Sequence, residues 1–348
     1  MSAPSTTDVR LAAHTTLRLG GPATRLCAAG SAEEVVSAVR EADAAAEPVL
    51  LLGGGSNLVV ADEGFSGTAV LLGSRGVRTR KRADGSVLVT VEAGEEWDDV
   101  VATCVDSRLG GLECLSGIPG RSGATPVQNV GAYGVEVADL LVDVDLYERR
   151  SGRLREHVPA AELGLAYRTS VLKGRDDAIV LRVRFALSGD GLSAPIRYAE
   201  LARRLDVAAG ERVPARAARD AVLELRRGKG MVLDPDDHDT WSVGSFFTNP
   251  IVPLAAAPDL EGMATWPAAD GRVKLSAAGL IQASGFDRGH PGPGGRVGLS
   301  SRHVLALTNR GTGRTADLLA LAREMRDRVA DRTGVELHPE PVLVGCSI

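Results

Sequence analysis

The spacing of apolar residues predicts a small α/β lobe near the start of the chain. Thr24 to Ala28 and Leu50 to Leu52 are short apolar runs of the kind that form buried strands. Between them, Ser31 and Glu34 have the spacing of a capping box, which predicts a helix that ends near Ala46. A strand, a helix and a second strand in this order are typical of an α/β unit.

The middle of the chain has mainly the pattern of β-strands. Asp84-Gly85 separates two apolar segments and predicts a tight hairpin, and Ser151-Gly152 separates a second pair. The predicted elements are strands at Val77 to Arg82, Val87 to Glu92, Val142 to Tyr147, Arg153 to Val158 and Ala178 to Leu187, and one helix at Trp97 to Arg108.

Helical periodicity returns in the C-terminal part. The pattern predicts helices at Tyr198 to Leu205, Arg216 to Arg226, Ser276 to Ser284, and from a capping Thr315 to Asp331. His303 to Thr308 is expected to be a strand, and Val335 to Gly345 an extended closing segment.

A run of three glycines follows the strand at Leu50 to Leu52. Gly53, Gly54 and Gly55 allow the backbone to approach a ligand closely, and a nest of bare N–H groups binds phosphate. A Rossmann fingerprint would need a glycine where Leu58 stands and a helix directly afterwards, whereas Val59 to Gly64 is expected to form a turn. A phosphate-binding loop between strands and a glycine-rich surface turn are therefore both open at this point.

The segment from Gly110 to Gly134 is too long and too rich in glycine for an ordinary connection. Long loops within a domain are usually functional, and Gln128 and Asn129 can donate and accept hydrogen bonds toward the edge of a flat heteroaromatic ligand. A flexible linker is disfavoured because Ile118 and Val127 would be exposed to water.

Composition excludes several classes of protein. With 348 residues, 44% of them hydrophobic, the chain can form two or three domains. A net charge of −5 gives no reason to expect nucleic acid as a partner, and the four cysteines form neither a CxxC pair nor a ligand cluster with histidine. No metal site is therefore expected. No apolar run approaches 18 residues, so we expect a cytoplasmic protein without a membrane span.

Several motifs in a fixed order resemble the UDP-N-acetylenolpyruvoylglucosamine reductases, which are UDP-N-acetylmuramate dehydrogenases of peptidoglycan synthesis. They extend over nearly the whole chain. The motifs are His14-Thr-Thr-Leu-Arg-Leu-Gly-Gly-Pro-Ala23, Gly53-Gly-Gly-Ser-Asn-Leu58, Gly117-Ile-Pro-Gly120, Pro126-Val-Gln-Asn-Val-Gly-Ala-Tyr-Gly134, Tyr167-Arg-Thr-Ser170, Gly244-Ser-Phe-Phe-Thr-Asn-Pro250 and Leu337-His-Pro-Glu340.

The resemblance implies an α+β fold with a two-lobed FAD-binding module of the vanillyl-alcohol-oxidase type and a C-terminal α+β substrate domain. It places the first lobe at residues 1–73, the second at 74–205 and the substrate domain at 206–333, with residues 334–348 returning to the first lobe. It also implies noncovalent FAD, NADPH as hydride donor, a UDP-sugar as substrate, and a monomer.

The resemblance further implies the residues of the site. Arg168 and Glu340 would polarise the substrate carboxylate, and Ser245 would donate the proton. Tyr198 would cover the sugar nucleotide, as in the subclass that has this tyrosine, and Lys229 and Asn249 would contact the diphosphate. The implied FAD contacts are Gly53, Gly54, Gly55, Ser56, Asn57, Leu58, Gly117, Ile118, Pro119, Gly123, Ala124, Gln128, Asn129, Gly131 and Ala132.

Two other classes remain open. A covalently flavinylated oxidase on the same module usually has a histidine in the pyrophosphate loop, and Pro119 to Asn129 contains none. A flavin-binding or sugar-nucleotide-binding protein without activity would keep the glycine loops and lack Ser245 or Glu340, and both are present.

Overall fold

The structure of the protein is a computed structural model that describes residues 4–260 and 262–348. In chain order the strands are β1 (Ser5–Arg10), β2 (Pro22–Ala29), β3 (Val49–Leu52), β4 (Leu58–Val60), β5 (Phe65–Leu72), β6 (Val77–Lys81), β7 (Val87–Glu92), β8 (Gly131–Ala132), β9 (Val135–Glu136), β10 (Leu141–Glu148), β11 (Arg153–Pro159), β12 (Ala178–Leu187), β13 (Ile251–Pro253), β14 (Thr265–Pro267), β15 (Arg272–Leu275), β16 (Val297–Leu299), β17 (Leu307–Asn309) and β18 (Val342–Val344). The α-helices are α1 (Ala32–Ala44), α2 (Trp97–Asp106), α3 (Ala199–Leu205), α4 (Ala215–Gly228), α5 (Ala277–Ala283) and α6 (Thr315–Thr333).

The described chain divides into two compact units, and each unit is built from several segments of the chain. Unit 1 contains residues 4–9, 23–54 and 66–228, and unit 2 contains residues 10–22, 55–65, 229–260 and 262–348. The boundaries expected after residues 73, 205 and 333 stay predictions. No helix among the described residues is both long and apolar enough to cross a membrane.

The first sheet of unit 1 has the order β1-β2-β5-β3, with β3 and β5 parallel. Helix α1 covers part of this unit through Val35 and Val39, which belong to a buried cluster that also contains Val70. The helix starts where the sequence predicts, because the Ser31 side chain accepts a hydrogen bond from the Glu34 N–H at 3.2 Å. The capping pattern thus fixes the position of the helix between two strands.

The second sheet of unit 1 is antiparallel and has the order β11-β10-β12-β7-β6. Alternate residues of β7 are buried, as period-two alternation requires of a strand with one core face. Trp97 of α2 packs against Phe185 of β12 with ring centroids 5.6 Å apart, and its indole N–H donates to the Leu115 carbonyl at 3.1 Å. These contacts attach the long loop after α2 to the core of the sheet.

Unit 2 consists of small sheets around a core of phenylalanine and leucine. Strands β13-β15-β14 form one antiparallel sheet, β16 and β17 another, and β18 pairs in parallel with β4. The core contains Phe246, Phe247, Phe286 and, from α6, Leu318 and Met325, all fully buried or nearly so. Burial of apolar area on this scale is the main stabilising term for such a unit.

Three details differ from the sequence predictions. Val59 and Val60 belong to β4 instead of a turn, because their partner strand lies near the C-terminus and leaves no local signal. Of the expected strand at 303–308, only Leu307 and Thr308 belong to a strand, β17, which continues to Asn309. Thr315 is the first residue of α6, and its hydroxyl donates to the Val60 carbonyl at 2.6 Å instead of capping the helix.

The sequence analysis also missed strand β1 and the sheet formed by β13, β14 and β15. Each strand of that sheet has three or four residues, too few for the alternation of apolar and polar positions to be recognised.

Candidate active site

The two glycine-rich loops approach each other within unit 1. A Cβ atom on Gly54 would lie 2.6 Å from the Cα atom of Gly120, a distance that packed atoms do not reach. A Cβ atom on Gly53 would lie 3.4 Å from Cγ of Arg121. In the second loop, a Cβ atom on Gly123 would lie 2.5 Å from Cβ of Ala93. Glycine is required at Gly54, because there backbone lies directly against backbone.

The remainder of the first loop belongs to unit 2. Gly55 has φ +60°, and a Cβ atom there would overlap the carbonyl oxygen of His14. The Asn57 carbonyl accepts from the Val342 N–H at 2.9 Å, and the Asn57 side chain donates to the Glu340 carbonyl at 3.4 Å. Ser56 leads into this arrangement, and Leu58 is the first residue of β4, paired with Val342.

An ion pair supports the start of the second loop. The Asp98 carboxylate accepts from the Gly117 N–H at 2.6 Å and from both terminal nitrogens of Arg219 at 2.6 and 2.9 Å. Burial is the largest influence and raises the pKa of Asp98, but the hydrogen bonds from Arg219 and Gly117 outweigh it, so the pKa lies below its ordinary value. Asp98 therefore holds the loop as a carboxylate. The sequence analysis missed this ion pair, because Asp98 and Arg219 lie on helices α2 and α4, which are far apart in the sequence.

Arg121 was also missed. Its Nη1 lies 3.0 Å from the Gly94 carbonyl oxygen and 2.6 Å from a carboxylate oxygen of Glu96. Its Nε is buried and has no hydrogen-bond partner within the described residues. Burial lowers the pKa of this guanidinium, although the Glu96 charge opposes the shift. A buried cationic group thus lies where the two glycine loops meet.

The other predicted cofactor residues follow along the second loop. Ile118, Pro119 and Gln128 are half-buried, and Ala124 is exposed. Gly131 and Ala132 form β8, which pairs with β9 through a turn at Tyr133 and Gly134 with φ +49° and +83°. Two positive φ values are typical of the tight turn that matches the twist of a hairpin.

Two tyrosines meet at this hairpin. The rings of Tyr133 and Tyr198 are 5.3 Å apart and nearly perpendicular, an arrangement that aromatic pairs favour. Burial raises the pKa of Tyr133 to about 12, whereas Tyr198 is 43% exposed. The exposed ring of Tyr198 is therefore supported from one side and open to a ligand.

Arg168 lies at a tight turn with φ +54°. The turn is closed by mutual backbone hydrogen bonds between Ala166 and Thr169 of 3.1 and 3.2 Å. The Lys173 ammonium donates to the Arg168 carbonyl at 2.9 Å, and Nη2 of Arg168 donates to the Gly131 carbonyl at 2.8 Å. The structure therefore brings Arg168 to a residue predicted to contact the cofactor.

The side chain of Asn129 is 1% exposed and bonded to protein groups. Its Nδ2 donates to Glu136 at 2.8 Å and to the Ala166 carbonyl at 3.2 Å, and its Oδ1 accepts from the Ala138 N–H at 2.9 Å. An amide has two donor hydrogens, so both are used by protein acceptors.

Ser245 and Glu340 lie on neighbouring antiparallel segments of unit 2. The Glu340 N–H donates to the Phe246 carbonyl at 2.8 Å, and the Thr248 N–H donates to the His338 carbonyl at 3.1 Å. Phe246 and Phe247 belong to the same segment as Ser245, and their side chains are buried. Ser245 and Glu340 are half-buried. The buried rings thus fix the backbone that carries both predicted catalytic residues.

The two predicted diphosphate contacts, Asn249 and Lys229, both belong to unit 2. Oδ1 of Asn249 accepts from the N–H of Ala277, the first residue of α5, at 2.9 Å. Lys229 is half-buried at the start of the long C-terminal segment of unit 2. The amide nitrogen of Asn249 supplies donor hydrogens suited to a phosphate oxygen.

One group of possible metal ligands lies outside these loops, at Asp143, Asp145 and His157. Both carboxylates already accept hydrogen bonds from Arg184, at 2.6 Å from Asp143 and 2.7 and 2.8 Å from Asp145. Asp145 is also paired with Arg182 at 2.9 Å, so two guanidinium groups balance the two carboxylates. We assign no metal to this group.

Comparison with known proteins gives matches along both parts of the chain. Residues 23–156 match the family described as FAD binding domain, and residues 234–344 match the C-terminal domain of UDP-N-acetylenolpyruvoylglucosamine reductase. A protein of that reductase name from Saccharopolyspora erythraea is 62% identical over 350 residues, which cover 97% of this chain and 95% of the relative. Another from Salinispora arenicola is 54% identical, covering 99% of this chain and 98% of the relative.

The structural comparison agrees. The crystal structure of UDP-N-acetylenolpyruvylglucosamine reductase from Thermus caldophilus is similar to this structure with a TM-score of 0.66 and 26% sequence identity, over 99% of both chains. These matches confirm the expected α+β fold with an FAD-binding module followed by a C-terminal domain.

Proposed function

Because the chain belongs to the UDP-N-acetylenolpyruvoylglucosamine reductase family, we propose that Arg168, Ser245 and Glu340 carry its chemistry. The chain is an FAD-dependent oxidoreductase that reduces UDP-N-acetylglucosamine enolpyruvate to UDP-N-acetylmuramate for peptidoglycan synthesis, with NADPH as reductant. The observation that carries this statement is 62% identity to a reductase of that name across nearly the full length of both chains.

The glycine loops fit FAD. The close approach of Gly54 to Gly120 leaves both backbones without side chains, as binding of a diphosphate through N–H groups requires. Arg121 adds positive charge at the same place. We propose that Gly53 to Leu58 and Gly117 to Ala132 hold the cofactor noncovalently, with Asn129 contributing only backbone atoms, since its side chain is bonded to protein groups.

Arg168 and Glu340 act on the substrate carboxylate in this proposal. When bound, FAD supplies the hydride that it has received from NADPH, and the hydride adds to the terminal vinyl carbon. Negative charge then develops as an enolate over the substrate carboxylate, where a guanidinium stabilises it. Arg168 is suited to this because its guanidinium is always charged and its backbone is fixed by the turn.

Ser245 completes the reaction in this proposal. Its hydroxyl gives a proton to the α-carbon of the enolate, the carbon–hydrogen bond forms, and the serine oxygen regains a proton from water. Serine is a weak acid, but an enolate carbon is basic enough to take its proton. Phe246, buried next to Ser245, limits the water that could compete for the enolate.

Binding of the UDP-sugar is assigned to Tyr198, Lys229 and Asn249. The exposed ring of Tyr198 offers an apolar face to the nucleotide, and Lys229 and Asn249 offer donors to the diphosphate. We further propose that the protein acts as a monomer in the cytoplasm.

Purified protein tests this proposal. We expect a yellow protein that releases its flavin into the supernatant on acid precipitation. Beyond the single equivalent of NADPH that reduces the bound flavin, it should oxidise NADPH continuously only when UDP-N-acetylglucosamine enolpyruvate is present, with one equivalent of UDP-N-acetylmuramate formed for each NADPH. Flavin that stays in the pellet, or NADPH oxidation that needs oxygen instead of the sugar nucleotide, would support a flavin oxidase and contradict the proposal.

A further inference from the structure

The loop predicted to bind FAD and the turn that carries Arg168 are tied together at three alternate positions. The Val127 carbonyl accepts from the Ser170 hydroxyl at 2.6 Å, Asn129 donates to the Ala166 carbonyl at 3.2 Å, and the Gly131 carbonyl accepts from Arg168 at 2.8 Å. Residues 125–129 lie in turns, so these three hydrogen bonds, and not the regular alternation of a strand, join the loop to the turn.

Asn129 makes the middle one of these three hydrogen bonds. It is the one to which the loop contributes a buried side chain instead of a backbone carbonyl. The Asn129 amide also joins the Glu136 carboxylate and the N–H of Ala138, so the segment 136–138 and the turn at Ala166 are both bonded to one side chain. Its backbone has φ +49°, a conformation that asparagine tolerates better than most residues. A residue bonded in this way fixes the relative position of loop and turn.

The turn needs this support because Arg168 is in the left-handed region at φ +54°. Such a backbone is retained only where its surroundings determine it. The Ala166 carbonyl that receives the Asn129 hydrogen bond is also the carbonyl that closes the turn with Thr169. A shift of Ala166 would therefore be transmitted to the Arg168 side chain.

We propose that Asn129 is a positioning residue that holds Arg168 in place for the substrate, instead of contacting the flavin with its side chain. This inference rests on the proposed role of Arg168. It predicts that removal of the amide slows only the step in which Arg168 acts. Displacement of a catalytic group by about 1 Å costs about 10²-fold in rate.

The test is a double-mutant cycle with Asn129→Gly and Arg168→Ala, in which both half-reactions are followed by stopped-flow absorbance of the flavin. Glycine keeps the positive φ without strain and removes only the side chain. Asn129→Gly should bind FAD and be reduced by NADPH within about threefold of the parent, and should be reoxidised by the enolpyruvyl substrate about 10²-fold more slowly. In the Arg168→Ala background, Asn129→Gly should add no further loss beyond about threefold.

His157→Gly is the matched control. His157 also has φ +54°, lies in β11 outside the loops, and should leave both half-reactions at the parental rate. If Asn129→Gly does not retain FAD, Asn129→Asp takes its place, because aspartate keeps the size and the acceptor for Ala138 while losing both donor hydrogens. Loss of FAD in both variants would overturn the inference.

Three other results would also decide the question. Slower reduction by NADPH in Asn129→Gly would mean that the side chain serves the flavin, and would overturn the inference. If the loss in reoxidation rate of the double variant equals the product of the two single losses, Asn129 acts independently of Arg168. That result would overturn the inference and leave the proposed role of Arg168 intact. Reoxidation of Arg168→Ala at the parental rate would overturn the proposed role of Arg168 and the inference with it.

Discussion

Three residues of the candidate site of unit 1 other than glycine have a left-handed backbone conformation. Asn129, Tyr133 and Arg168 have φ values of +49°, +49° and +54°. For residues other than glycine this region costs about 1 kcal/mol or more, so the hydrogen bonds around these residues have to offset it. The motifs identified these residues by type. Their conformations could not be predicted, because only asparagine among the three is a residue that favours positive φ.

The contact between the glycine loops is the basis of the first prediction. Gly54→Ala places a Cβ atom 2.6 Å from the Gly120 Cα atom, so one loop has to move. Overpacking of this kind costs about 1–3 kcal/mol, and we expect FAD affinity to fall about 10-fold or more. Titration of the apoprotein with FAD, followed by flavin fluorescence, measures this.

Gly228→Ala is the control for this prediction. Gly228 ends α4, and a Cβ atom there would have no neighbour within 4 Å. Parental FAD affinity is expected for this variant. Equal affinity of Gly54→Ala and the parent would show that the two loops do not form the FAD site.

The acceptor oxygen and the donor nitrogen of the Asn249 side chain can be tested separately. Asn249→Asp keeps an oxygen for the Ala277 N–H, so the free energy of unfolding should stay within about 0.5 kcal/mol of the parent. The same change removes the amide donors and adds a negative charge, so the KM for the UDP-sugar should rise about 10-fold. Steady-state kinetics and urea unfolding measure the two effects. An unchanged KM would leave Asn249 with a structural role only.

At the scale of elements, strong local signals gave correct predictions. Strand β12 has the predicted bounds Ala178–Leu187, because a run of ten residues, eight of them apolar, identifies a buried central strand. Helix α1 was predicted from its cap. Strand β4 was predicted as a turn, since pairing with a strand more than 280 residues away leaves no local pattern. High sequence separation explains this error, whereas β13, β14 and β15 were missed because each has only three or four residues.

The pair of β10 and β12 gives a prediction of pH dependence. Asp145 is 2% exposed and accepts hydrogen bonds from Arg184 and Arg182. Burial is the largest influence and raises the pKa of Asp145, but the hydrogen bonds from Arg184 and from the His157 N–H outweigh it, so the pKa lies below its ordinary value. A carboxyl with a lowered pKa in the folded state stabilises the fold above its unfolded pKa of about 3.9, and this contribution is lost as the pH falls through the folded value.

Asp145→Asn should therefore lower the free energy of unfolding by about 3 kcal/mol at pH 7 and by progressively less below pH ~4. Urea unfolding of the parent and the variant across this range measures the difference. Arg175→Gln, at an exposed arginine of unit 1, is the control and should leave the free energy of unfolding close to that of the parent, because exposed ion pairs contribute little. If the difference in the free energy of unfolding between the parent and Asp145→Asn stays constant from pH 7 to below pH ~4, the lowered pKa assigned to Asp145 is contradicted.

At the scale of the whole molecule, the order of the motifs predicted the family and the fold class, and the comparisons confirm both. The composition of the two compact units could not be predicted in the same way. Residues 10–22 and 55–65 belong to unit 2, although they are flanked in sequence by segments of unit 1. Segments this short have no core of their own, so only their contacts reveal where they belong.

The assignment of roles separates the two half-reactions, and Ser245→Ala tests it most directly. Reduction of the bound flavin by NADPH needs no proton from Ser245, so its rate should stay within about threefold of the parent. Reoxidation by UDP-N-acetylglucosamine enolpyruvate should slow about 10²-fold or more, because a positioned general acid is lost. Stopped-flow absorbance resolves the two steps in one enzyme. Reoxidation of Ser245→Ala at the parental rate would contradict the assignment of Ser245 as the proton donor.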